Sequence, residues 1–159
     1  MQNAISFSGT IVDGIGKYTE LRVPGRNEVR QAPKDWPVRL CPGSLNLRIL
    51  PSGYPELFSA NGLPNTTKSL DSRIFAACFA IPQSEFGNNR IVPTPQLLHR
   101  GSAQVWRSKL EYGENQISCW VLRRFGSGLA DQIEILSKQH LRTEYGIESG
   151  NAATITLFS

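Results

Sequence analysis

Cys41-Pro42-Gly43-Ser44-Leu45-Asn46-Leu47-Arg48-Ile49 turns at Pro-Gly and then alternates polar with apolar side chains, which is the pattern of a turn feeding a β-strand. Side chains two apart on a strand share a face. Leu45 and Leu47 are therefore expected against a core, with Ser44 and Asn46 on the opposite face. A hydroxyl and an amide carbonyl are neutral, hard oxygen donors, so a divalent cation held by them would need phosphate oxygens to complete its shell. That suits a metal arriving with a nucleotide. The same two side chains also suit a strand entrance that bonds its own backbone.

Further strands follow on either side. Ile5 to Val12 alternates well enough for a first strand, and Asp13-Gly14-Ile15-Gly16 breaks it before Lys17 to Val23, which reads as a second strand in a hairpin-like entry. Pro24 to Pro37 is expected to be a loop or short irregular helix with solvated arginines, and Pro51 to Lys68 a long loop. Arg73 to Ile81 is apolar enough for a buried strand, with Cys78 as a small hydrophobe. Ala103 to Glu111 and Gln116 to Leu122 flank Tyr112-Gly113-Glu114-Asn115 and read as a hairpin that packs Trp106 and Trp120. Asp131 to Leu136 is a strand. Ser137 is placed to cap a helix from Lys138 to Tyr145 that stops at Gly146, and Ala152 to Phe158 is a terminal strand. Seven or so closely spaced strands without a βαβ rhythm predict a mainly β, closed or partly closed barrel of six to seven strands with one short C-terminal helix.

The 159 residues, 40% hydrophobic and 19% charged, suit a single domain over 1–159 able to bury roughly 70% of its unfolded surface. A formal charge of +4 favours anionic partners. Cys41, Cys78 and Cys119 are odd in number and widely spaced, so reduced thiols are expected rather than disulfides or a zinc site. No apolar run is long enough to span a bilayer, and the start lacks a signal-peptide pattern; a cytoplasmic protein without a membrane partner is the expectation. His99 and His140 stand apart, and HExxH, paired CxxC, Gly-x-Ser-x-Gly and P-loop patterns are missing. What remains is Gly14-Ile15-Gly16, whose amides could approach phosphate, followed by Lys17, with Ser44 and Asn46 for magnesium. Arg123-Arg124-Phe125-Gly126-Ser127-Gly128 could hold a phosphate or turn the chain. Glu134, between Ile133 and Ile135, must face opposite to them, toward solvent or a pocket.

Three segments together, Gly9-Thr10-Ile11-Val12-Asp13-Gly14-Ile15-Gly16, Pro42-Gly43-Ser44-Leu45-Asn46-Leu47, and Ile133-Glu134-Ile135-Leu136 followed by Leu141-Arg142 and Gly146, resemble the archaeal-type CTP-dependent riboflavin kinases. The resemblance implies a cradle-loop barrel that phosphorylates riboflavin to FMN with CTP as donor and Mg2+ as metal. Gly14, Ile15, Gly16, Lys17 and Tyr18 would line the nucleotide, and Ser44, where the family usually has threonine, would bind magnesium with Asn46. Glu134 would contact the flavin, Ser127 would substitute for a flavin-contacting threonine, and Gln139, His140, Leu141 and Arg142 would close over the nucleotide. Glu134 and Lys17 are the candidates closest to the chemistry. Lys17-Tyr18 stands where the family tends to have Glu-Gly, and Pro51 to Leu122 has no counterpart. Two other readings stay open: a non-catalytic barrel binding flavin or nucleotide, and, less favoured, a nucleic-acid-binding barrel using Arg22, Arg26, Arg30, Arg123 and Arg124.

Overall fold

The computed structural model describes residues 3–13, 23–41, 45–49, 70, 75–89, 102–125 and 131–159, with the backbone alone at 87–89. Seven strands run in chain order as β1 (Ala4–Val12), β2 (Leu45–Ile49), β3 (Phe79–Ile81), β4 (Ala103–Tyr112), β5 (Asn115–Arg124), β6 (Gln132–Leu136) and β7 (Ala152–Phe158), with one short helix α1 (Leu141–Tyr145). Antiparallel pairing in the order β4-β5-β6-β2-β1-β7 closes through β4–β7 into a six-stranded barrel, and β3 adds to the free stretch of β4. The expected barrel with a single short helix is what the described residues form.

Alternation fills the interior. Phe7 and Ile11, Leu45 and Leu47, Trp106 and Leu110, Ile117 and Val121, Ile133 and Ile135, and Ile155 and Leu157 all point inward and are buried, as period-two strands around one core require. Cys119 lies in this core, and burial pushes its thiol up to about 12. All three cysteines are free. Gly9 lies where β1 approaches β2 too closely for a side chain, because a Cβ there would collide with the Arg48 carbonyl oxygen.

A second core lies outside the barrel wall. Residues 23–41 and the 3-10 helix Gln83–Asn89 lie over the outer face of β4, β5 and β6, where Val29, Trp36, Leu40 and Phe86 pack on Val105, Trp120, Leu122 and Leu136. Trp36 is fully buried (0% exposed). Its Nε1 donates to the Pro24 carbonyl at 3.1 Å, and its ring meets Phe79 and Trp120 edge-on at 5.1 and 5.0 Å. Burial on both faces explains why β5 is continuously apolar from Cys119 to Leu122 instead of alternating. Trp120 therefore packs a core, as expected, though the outer one.

Several expectations are corrected. β1 pairs with β2 over Gly9–Val12 and with β7 over Ala4–Thr10. Residues 17–22 themselves lie outside the described residues, as do 51–68. Pro24 to Pro37, expected as a loop or short irregular helix, does contain a short 3-10 helix, Arg26–Glu28, and is anchored by Trp36. Of the strand expected over Arg73 to Ile81, residues 75–81 are described, and among them only Phe79–Ile81 is strand, pairing with Ala103–Val105 of β4 beyond the stretch that pairs with β7. Helix α1 starts at Leu141 with His140 as its cap, not at Lys138 with Ser137. Ser137 is still held to the outer layer, its carbonyl accepting from the Cys41 N–H at 2.9 Å and its Oγ from the Gln139 N–H at 3.0 Å. Gly146 does end the helix, in the left-handed region at φ 61°.

Candidate functional site at one mouth of the barrel

Strand pairing brings separated candidates to one end of the barrel. Asn46 stands opposite Val12 on one side and Glu134 on the other, and Glu134 stands opposite Leu122. Because Leu45 and Leu47 point inward, this row lies on the outer face of the wall, as the alternation predicted for Asn46 and Glu134. Directly opposed side chains have Cβ atoms about 4.5–5.5 Å apart, so the Asn46 amide and the Glu134 carboxylate share one small region. Asn46 is only 5% exposed and Glu134 half-buried. Glu134 already has an interaction partner.

Arg142 reaches the same mouth from α1. One terminal nitrogen of its guanidinium, Nη2, donates to the Val12 carbonyl at 3.2 Å, to Asp13 Oδ1 at 3.3 Å and to Ser149 Oγ at 3.0 Å, while the Ser149 hydroxyl donates to Asp13 Oδ1 at 2.6 Å. The chain between α1 and β7 is thereby tied to the residue that leads into Gly14. Gly150 N–H donates to the Ile11 carbonyl and Ile11 N–H to the Asn151 carbonyl, at 2.8 and 2.9 Å, which fixes the end of β1 from the other side. Asp13 and Ser149 had no role in the sequence reading. The two residues are 136 positions apart, and no local pattern pairs them.

The other nucleotide candidates divide. Leu141 is buried in the barrel core, which leaves only its backbone for a ligand. His140 is exposed, and its Nδ1 accepts from the Thr143 N–H at 3.3 Å and lies 2.7 Å from the Thr143 hydroxyl oxygen. That is the work of a helix cap. Gln139 lines the neighbouring cleft over β4 and β5. Gly14, Ile15, Gly16, Lys17, Tyr18, Ser44 and Ser127 lie outside the described residues.

The donor chemistry near Asn46 suits magnesium only in part. An amide oxygen with a carboxylate opposite are hard donors, and among the described residues no group of three or more His, Cys, Asp or Glu side chains could hold a metal on its own. Phosphate oxygens would have to supply the remainder. In the arginine set of the nucleic-acid reading, Arg22 lies outside the described residues, and the other four do not share one exposed surface. Arg26 and Arg30 are exposed, but Arg123 and Arg124 are 5% and 9% exposed, Arg123 on the inward side of β5 and Arg124 with its guanidinium 4.2 Å over the Phe86 ring. Among the described residues no helix is long and apolar enough to cross a membrane. No protein-family model and no curated protein matches this chain.

Proposed function

We propose that this barrel is a phosphotransferase of the riboflavin kinase type, acting in the cytoplasm on riboflavin with a nucleoside triphosphate, CTP by resemblance, to give FMN. The observation that carries the reading is the cross-strand row Val12–Asn46–Glu134 at the mouth where β1 runs toward Gly14-Ile15-Gly16. Phosphoryl transfer asks a protein mainly for alignment and charge neutralisation. In this reading the Gly14 and Gly16 amides and Lys17 receive the phosphates, Ser44 and Asn46 hold magnesium, and Glu134 orients the ribityl end of the acceptor. Magnesium, when bound, supplies neutralisation of the phosphate charge. Arg142 acts by holding Asp13, which sets how the chain leaves β1.

The test is incubation of the protein with riboflavin, magnesium and each nucleoside triphosphate, followed by chromatographic detection of FMN. FMN made with CTP in preference to ATP is expected; none with any donor overturns the kinase reading. Ser44→Ala with Asn46→Ala should abolish magnesium-dependent nucleotide binding, and Glu134→Ala should weaken riboflavin more than nucleotide. One observation favours a second reading, a non-catalytic flavin- or nucleotide-binding barrel. The Arg142 charge is already paired with Asp13, so it adds little net positive charge for a transferring phosphate. Ligand binding without turnover supports that alternative, and absence of both binding and turnover sinks the two together.

A further inference from the structure

A cleft of about 830 Å³ lies on the outer face of β4 and β5, away from the Asn46 row. Its floor is a two-by-two patch in which Arg107 pairs with Trp120 and Lys109 with Ser118. One wall is the 35–39 stretch, with Arg26 beside it, and Lys138 and Gln139 close one end. Five cationic side chains, Arg26, Arg39, Arg107, Lys109 and Lys138, line this concavity against one carboxylate, Asp35. The excess equals the net charge of the whole chain, +4. Like charges gathered in one hollow repel each other and weaken the fold, while raising the local concentration of anions.

Two features make the hollow a prepared site. Arg107 is fixed by a bidentate pair, Nε to Asp35 Oδ2 at 2.6 Å and Nη2 to Asp35 Oδ1 at 2.8 Å, with its guanidinium 5.4 Å from the Trp120 ring centroid. That pair consumes the one carboxylate of the lining; Lys109 Nζ lies 3.7 Å from Glu111 Oε1 just beyond it, an exposed pair that a phosphate can compete with. Apolar surface lies beside them, since Val38 is 48% exposed and Phe158 half-buried on the lining. A volume of this size is typical of small-ligand sites.

We propose that this cleft binds a small phosphorylated organic molecule, its dianionic phosphate held among Arg39, Lys109 and Lys138 and its apolar body resting on Val38 and Phe158. The site is separate from the phosphotransfer mouth and does not depend on that reading. The test uses the full chain and three probes, phenyl phosphate, inorganic phosphate and benzoate, with the backbone amide signals of Trp120, Lys138 and Gln139 followed by two-dimensional NMR. Saturable shifts with phenyl phosphate are expected, with inorganic phosphate and benzoate each at least about tenfold weaker. Arg39→Glu with Lys138→Glu, both exposed, should weaken phenyl phosphate by about tenfold or more. Val38→Ser should weaken phenyl phosphate and leave inorganic phosphate unchanged. Ser44→Ala with Asn46→Ala should leave phenyl phosphate binding intact, which separates this site from the barrel mouth. No saturable shift, equal binding of benzoate, or unchanged affinity in the charge-reversal variant would each overturn the proposal.

Discussion

Trp36→Ala tests whether the outer core is a structural part of this protein or a loose covering. Trp36 is fully buried, gives its indole N–H to the Pro24 carbonyl, and meets Phe79 and Trp120 edge-on. Removing a buried tryptophan loses its transfer free energy and leaves a cavity, together about 3–5 kcal/mol. Of this, each edge-on aromatic pair accounts for about 0.5–1.5 kcal/mol. The Pro24 carbonyl loses its donor as well, and an unpartnered buried polar group costs about 1–3 kcal/mol. Relaxation of the segment around Trp36 would let water reach that carbonyl and remove the second cost, so the lower end of the first range is expected, about 3 kcal/mol. Urea unfolding followed by circular dichroism reads this as a fall in midpoint. Limited proteolysis should find new cleavage within 24–40 before the barrel is lost. Trp36→Phe, which keeps a ring and loses only the N–H and part of the volume, should cost less than half as much. A loss below about 1 kcal/mol for Trp36→Ala, typical of surface positions, would refute the view that this residue anchors the outer layer.

Two further outcomes follow from single contacts. The Arg107 guanidinium, bonded to Asp35, holds that carboxyl below its ordinary value, so the stabilisation is present above the unfolded pKa, near 4, and is lost as the pH falls through the lower folded value. Both side chains are substantially exposed, which limits the effect to about 1 kcal/mol or less. The stability gap between the wild type and Asp35→Asn should therefore narrow as denaturation is repeated from pH 6 toward pH 2, and a gap that widens instead would contradict the pairing. Gly9→Ala places a methyl against the Arg48 carbonyl oxygen; backbone cannot yield as a side-chain tip can, so a loss of about 1–3 kcal/mol is expected. A variant as stable as the wild type would mean that β1 and β2 separate readily there.

The strands were legible where one face meets the core and the other meets water. β1, β2, β6 and β7 alternate, and the β4–β5 hairpin carries its own turn, with Gly113 at φ 57° in the left-handed region that glycine adopts without strain. The helix start was misplaced because a serine suited to capping is held instead by the Cys41 N–H and by its own local turn, while Leu141 must enter the core before the helix can begin. Trp36 escaped notice because its neighbours are proline, lysine and aspartate, and nothing in so polar a stretch marks one residue as buried.

For the candidate site, the sequence by itself determined that Asn46 and Glu134 turn away from the leucines and isoleucines beside them, since strand geometry alternates whatever the strand later pairs with. It also determined the barrel class, through the number and spacing of its alternating runs. Only the tertiary structure decided that Val12, Asn46 and Glu134 fall into one row, that Arg142 and Ser149 meet Asp13, and that Asp35 locks Arg107 over a cationic cleft. Each of these depends on register between strands or on contacts between distant segments. Such register is set by the packing of the whole core, and a local window of residues does not contain it.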